Sequence, residues 1–157
     1  QLLRQVGQFT QRQLERAHVH MDFDLADRLP PISGQPDALR QVFLNLILNA
    51  QEAMPRGGGI HIHTTRKATD RLCLVTIQDS GIGMTADQLA HLFEPFRSMK
   101  AQGVGLGLYL SRQIIEQHTG HIEISSQPGR GTSITVQFPW SDAGPWQPPE
   151  DDEGYCE

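Results

Sequence analysis

The strictest alternation in the chain is His18-Val19-His20-Met21-Asp22-Phe23-Asp24-Leu25, eight residues in which polar and apolar side chains take turns. That is the period of a strand buried on one face. Ahead of it, Leu2, Leu3, Val6, Leu14 and Ala17 recur among Gln and Arg at the spacing of an amphipathic helix, weakened around Gly7 and Thr10. Leu29-Pro30-Pro31 and Gly34-Gln35-Pro36 then break the chain, and a long helix is expected from Asp37 to about Met54. Beyond Pro55-Arg56-Gly57-Gly58-Gly59, Ile60 to Thr64 and the more continuously apolar Leu72 to Ile77 predict paired strands, the second central in its sheet. Thr85 suits the cap of a short helix reaching Leu92, and Gly103 to Gly107 leads into another that stops near His118-Thr119-Gly120. Finally, Ile122 and Ile124, then Ile134, Val136 and Phe138, alternate on either side of Pro128-Gly129-Arg130-Gly131, a hairpin signal. Strands and helices that do not alternate one for one predict an α+β fold. The expected form is a two-layer α/β sandwich, a mixed sheet of about five strands covered on one face by about three helices.

Length and composition narrow this to one globular domain: 157 residues, 38% hydrophobic and 20% charged, with no apolar run near the roughly 18 residues that span a bilayer. No basic leader followed by an apolar stretch is visible. The net charge of -5 is unevenly placed, because Asp142, Glu150, Asp151, Asp152, Glu153 and Glu157 lie in a segment from residue 139 onward that has no Lys or Arg. Removing those six from 18 acidic residues leaves 12 against 13 basic ones, a near-neutral body with no basic face for nucleic acid. The expected division is a folded domain over 1–138 and an acidic, Pro-rich tail over 139–157 that cannot bury enough apolar area to order itself. Cys73 and Cys156 make neither a disulfide framework nor a metal set, which fits a reducing cytoplasm.

Three stretches break these structural rules in ways that point to chemistry. In the long helix, Gln41, Asn45, Asn49 and Glu52 fall in one narrow polar stripe opposite Leu39, Val42, Phe43, Leu46 and Ala50. Two amides on so apolar a helix are either satisfied by neighbouring backbone or offer oxygens to a hard cation such as Mg²⁺. Next, Asp79-Ser80-Gly81-Ile82-Gly83 follows a buried strand and joins an acceptor-only carboxylate to glycines that admit a close neighbour. It is equally the composition of an ordinary turn. Last, Gly103-Val104-Gly105-Leu106-Gly107 opens a helix, where unpaired N–H groups and the dipole favour an anion, with Arg97 and Lys100 upstream. The spacing is neither Gly-x-Gly-x-x-Gly nor a P-loop.

Taken in order along the chain, these stretches resemble the GHKL ATPases. Asn45-Leu46-Ile47-Leu48-Asn49-Ala50 resembles the N box, Asp79 to Met84 the G1 box, Leu92-Phe93-Glu94-Pro95-Phe96 the F box and Gly103 to Leu108 the G2 box, over about residues 13 to 138. Within that superfamily the match is closest to sensor histidine kinases. The resemblance implies a Bergerat-type pocket between helices and sheet, with a lid over about Phe96 to Gly105. It further implies that Asn49 binds Mg²⁺, Asn45 supports metal and phosphates, and Asp79 accepts the adenine amino proton. Gly81 and Gly83 would make room for the base, while Gly103, Gly105 and Gly107 close on the triphosphate and Lys100 approaches its end. Thr132 would join the adenine water network, with Ala53, Ile82, Met84, Phe93, Val104, Leu106 and Leu108 completing the nucleotide contacts. Glu52 departs from the pattern, since many family members have a basic residue there, and Arg97-Ser98-Met99-Lys100 makes a short lid.

Hydrolytic members place a glutamate base where this chain has Asn45, and an amide cannot take a proton from water. A reaction whose nucleophile comes from elsewhere is therefore expected, with the protein positioning ATP and Mg²⁺ for in-line attack on the γ-phosphate. None of the seven histidines is followed by Asp or Glu, as the family's phosphoacceptor is. The acceptor is thus expected on an upstream dimerisation domain of a homodimeric parent, with a response regulator receiver domain downstream in the pathway and this domain alone monomeric. The parent is expected in the cytoplasm or anchored to its membrane. Alternatives are a nucleotide-binding regulatory module without phosphotransfer and a serine kinase of the anti-sigma type. His18, His20, His61 and His63 occupy alternating strand positions. With no further ligand evident nearby, they are expected to be a solvated face.

Overall fold

The computed structural model describes residues 1–96 and 106–140. In chain order these form α1 (Leu2–Arg16), β1 (Val19–Leu25), α2 (Pro36–Glu52), β2 (Gly58–Lys67), β3 (Leu72–Asp79), α3 (Ala86–Ala90), α4 (Gly107–Gln117), β4 (His121–Gln127) and β5 (Gly131–Pro139). The strands make one mixed sheet in the order β1-β2-β3-β5-β4, in which β1 runs parallel to β2 and the other pairs are antiparallel. As the apolar run from Leu72 predicts, β3 is central.

The two periods of the sequence meet in one core. Ile60 and Ile62 of β2, Ile77 of β3, and Ile134, Val136 and Phe138 of β5 point to the same side of the sheet. There they pack under Val6 and Leu14 of α1, Leu39, Val42, Phe43, Leu46 and Ile47 of α2, and Ile115 of α4. The intervening strand positions, His61, His63, Thr76, Gln78, Ser133 and Thr135, face the uncovered side. Three helices thus cover one face, and α3, five residues long, sits against β4.

Local chemistry explains the weak points. Thr10 is buried inside α1 and its hydroxyl donates to the Val6 carbonyl oxygen at 3.0 Å, so a polar residue is tolerated on the inner face. Gly7 is where α1 rests on β1: a Cβ there would lie 2.5 Å from the Phe23 ring. Pro36 at the first helical position starts α2 without a side-chain cap, and Asp37 supplies the first-turn negative charge. Thr85 caps α3 through a full capping box with Gln88, as the sequence predicts, although the helix stops at Ala90. His118 joins α4 to α2: its Nε2 accepts from the Gln35 N–H at 2.9 Å while its Nδ1 meets the Ile114 carbonyl at 2.6 Å.

Two expectations change. His18 has φ 55 and lies in the turn before β1, so it is not one of the alternating strand positions. Pairing also continues past residue 138: Pro139 belongs to β5, and Trp140 bridges to Ile32, donates its N–H to the Arg71 carbonyl and lies under the Arg71 guanidinium. The tail beyond it, 141–157, lies outside the described residues.

Candidate functional site

Asp79 ends β3 with its side chain on the helix side of the sheet, 7% exposed. Its Oδ1 accepts from the Gly81 N–H at 2.8 Å and the Thr132 N–H at 3.2 Å. Among the described residues, no hydrogen bond reaches Oδ2. Burial pushes the carboxyl above the ordinary aspartate value, and the two backbone donors pull it back.

The loop after Asp79 is fixed from two sides. The Ile82 N–H donates to the Ala53 carbonyl oxygen at 2.9 Å, which ties it to the end of α2. Towards the β4–β5 hairpin, the Gly129 N–H donates to the Ile82 carbonyl oxygen at 2.7 Å and the Met84 N–H to Ser126 Oγ at 2.9 Å. Ser126 Oγ also donates to the Gly131 carbonyl and meets Thr132 Oγ1 at 2.9 Å, so one hydroxyl holds loop and hairpin together. The two loop glycines also lie close to protein atoms. A Cβ on Gly83 would lie 1.9 Å from the Gln127 carbonyl oxygen, and one on Gly81 would lie 2.6 Å from the Ala53 carbonyl oxygen and 2.8 Å from Asp79 Oδ1. These glycines let protein approach protein and thereby set the position of Asp79.

About two turns back along α2, near its middle, Asn45 is half-buried and its Nδ2 donates to Ser111 Oγ of α4 at 3.0 Å. A Cβ on Gly107 would lie 2.6 Å from Asn45 Oδ1, so glycine is what lets the N-terminus of α4 close on that amide. Asn49, one turn further along α2, is half-buried, and Glu52 is exposed at the helix end. Asn45 and Ala53 are roughly 12 Å apart along the helix at about 1.5 Å per residue, so α2 links a carboxylate end of the site to an amide and helix-dipole end. Phe93 lies under the Arg112 guanidinium, 5.1 Å from ring to charge, which docks the segment after α3 onto α4. Leu106 precedes the first turn of α4 and Leu108 lies within it, both half-buried. Ile82 is 62% exposed. Arg97, Lys100, Gly103, Val104 and Gly105 fall outside the described residues.

The structure therefore brings together Asn45 with Gly107, Ala53 with Gly81 and Ile82, and Asp79 with Thr132. Ser111, Ser126 and Arg112, which position these residues, were not foreseen. A serine on an amphipathic helix or strand carries no sign of its partner until the helices are packed. The open sheet face also differs from expectation, because Asp22 and Asp24 of β1 stand directly beside His61 and His63 of β2 and complete the set that the histidines alone lacked.

Residues 34–142 match the family model described as "Histidine kinase-, DNA gyrase B-, and HSP90-like ATPase". The chain belongs to that family. It is 43% identical over 140 residues to sporulation kinase E of Bacillus subtilis, covering 88% of this chain and 19% of that protein. It is also 41% identical over 121 residues to the sensor histidine kinase ZraS of Salmonella typhimurium, covering 77% of this chain and 26% of the relative. The chain thus spans about a fifth to a quarter of the curated relatives it matches. Among solved structures, the catalytic domain of the histidine kinase ThkA superposes with TM-score 0.76 at 26% identity, over 88% of this chain and 90% of that one. Full-length ShkA in complex with AMPPNP superposes with TM-score 0.80 at 24% identity, over 91% of this chain and 30% of that one, which bears on the fold.

Proposed function

We propose that this domain binds ATP with Mg²⁺ and donates the γ-phosphate to a histidine on a separate dimerisation and phosphotransfer domain, as the catalytic part of a cytoplasmically facing sensor kinase that feeds a response regulator. The observation that supports the reading is Asn45: an amide, held by Ser111 and close to the N-terminus of α4, stands where hydrolytic members of the family resembled have a glutamate base.

The division of labour follows from the two ends of α2. Asp79 Oδ2 accepts the adenine amino hydrogen, with Thr132 beside it and the 80–85 loop rigid enough to fix the base. The N-terminus of α4 offers N–H donors and a positive dipole end to the phosphates. Amide oxygens of Asn49 and Asn45, neutral and hard, suit Mg²⁺, which takes such donors together with phosphate oxygens and water. Bound there, Mg²⁺ would neutralise charge on the phosphates. Lys100, Gly103, Val104 and Gly105 would complete the phosphate end. Transfer itself then needs only alignment: an imidazole nitrogen attacks the γ-phosphorus in line as the bond to the β,γ-bridging oxygen breaks, and ADP leaves.

The test mixes this domain with the histidine-bearing dimerisation domain of one of the kinases it resembles and γ-labelled ATP. Label on the partner that is lost in acid and kept in base supports the reading. Acid-stable phosphoserine would point to a serine kinase, and tight nucleotide binding without transfer to a regulatory module; either result removes the histidine kinase assignment.

A further inference from the structure

The uncovered face of the sheet carries a second constellation, remote from the nucleotide end. His61 and His63 are two residues apart on β2, so both imidazoles project from the open face, roughly 6.6 Å apart at their origins for a rise of about 3.3 Å per residue. Their inward neighbours, Ile60 and Ile62, are fully buried under the helices, which fixes this orientation against a slip in register. The parallel pairing of β1 with β2 sets Asp22 beside His61 and Asp24 beside His63. His63 Nδ1 lies 2.9 Å from Asp24 Oδ2, and His61 Nδ1 is paired with Asp22 Oδ2. One ligand atom from each of Asp24, His61 and His63 lies within 4.8 Å of the other two.

We propose that this face binds one divalent transition-metal ion of the zinc class through His61, His63 and Asp24. Donors of a single tetrahedral ion at about 2.0–2.1 Å stand roughly 3.3 Å from one another. The His61, His63 and Asp24 side chains are 45%, 42% and 68% exposed, so the remaining closure is a rotation of side chains that reach solvent. Two imidazoles and one carboxylate suit zinc, nickel, copper or cobalt and disfavour Mg²⁺, which wants oxygen alone. Asp22 holds the His61 ring by a hydrogen bond, the carboxylate support that metal-bound imidazoles commonly have, and water completes the coordination. Folding alone gives little reason for the arrangement, since two exposed histidine–carboxylate pairs add little to stability. An ion would join the edge strand β1 to β2 by side-chain coordination in addition to their backbone ladder. The proposal does not rest on the nucleotide reading, because the site is on the other face of the sheet and is tested with no nucleotide present.

The experiment is titration of Zn²⁺, and separately Co²⁺, into the chelator-treated full chain without nucleotide, followed by calorimetry, cobalt d–d absorbance and thermal unfolding. One equivalent of bound ion, with cobalt bands in the visible and an unfolding temperature that climbs with zinc concentration, is the expected result. Asp24→Asn should weaken binding at least about tenfold, since it removes one of three ligands. The double variant His61→Gln/His63→Gln should abolish it while keeping the wild-type circular dichroism. His121→Gln, on the edge strand β4, should leave binding unchanged. Binding that survives in the double variant, or a wild-type response no larger than that of the double variant, overturns the site. A wild-type chain that binds zinc and ignores ATP would leave it intact and refute the nucleotide reading alone.

Discussion

Asp79 carries a carboxyl whose burial works against its own charge. Its carboxyl is raised by burial, which outweighs the two backbone amides that favour the charged form. A carboxyl with a raised folded value contributes stability at pH below its unfolded value, 3.8, and loses it as pH climbs through the folded one. The charged form of Asp79 therefore weighs against the free domain, and the proposed adenine contact would give that charge a use. Asp79→Asn should separate the two effects. Its Oδ1 can keep both backbone donors, so the nucleotide-free variant should unfold at the same denaturant concentration as the wild type or a higher one at pH 7, with a flatter dependence on pH above 3.8. Its ATP affinity should fall by about 10- to 150-fold, or roughly 1.5–3 kcal/mol for a charged hydrogen bond. A variant that loses stability and keeps ATP affinity would show that Asp79 is a structural carboxylate.

At the scale of elements, the β4–β5 hairpin offers an internal comparison. Gly129 and Gly131 both have left-handed backbone, φ 74 and 84, but a Cβ on Gly129 would meet open space while one on Gly131 would lie 2.0 Å from the Asp79 carbonyl oxygen. Gly129→Ala should cost about 1–2 kcal/mol, the penalty of the left-handed region for a residue with a Cβ. Gly131→Ala should cost distinctly more in chemical denaturation and should also weaken ATP, because the Thr132 N–H must move away from Asp79. Equal costs would mean that strand and hairpin are free to part there. The hairpin itself was legible, since Pro128 to Gly131 stands between two runs of period two. So were β2, β3, the Thr85 cap and the apolar face of α2, all of which are set by residues close in sequence. The start of α4 at the end of the glycine run was legible, but the Asn45 amide that meets Gly107 was not, because that contact depends on another helix. Nor were the pairs His61 with Asp22 and His63 with Asp24. Alternation tells which face a side chain takes, but only the order of strands tells what stands beside it, and a parallel β1–β2 pair brings together residues 39 apart in the chain.

For the molecule as a whole, the described parts of the stretches singled out for their chemistry meet α2, with Asn45 at the Gly107 contact and Ala53 at the Asp79 loop. A ligand that bridges both ends should stabilise the entire domain by mass action, about 2.7 kcal/mol at a concentration 100 times Kd. Scanning calorimetry with a non-hydrolysable ATP analogue and Mg²⁺ should therefore raise Tm by roughly 5–10 °C for a chain of this size. An unchanged Tm at millimolar analogue would rule out the nucleotide cavity. The two contacts between α2 and α4 bear on how that ligand is received. The helices run in opposite directions and are joined at two levels, by the Gln35 N–H to His118 where α2 starts and α4 ends, and by Asn45 to Ser111 near the middle of both. Two beams bolted at two points resist hinging about either bolt. A triphosphate at the proposed site would therefore meet a gauge that is already set, and little of its binding energy would go to moving these two helices.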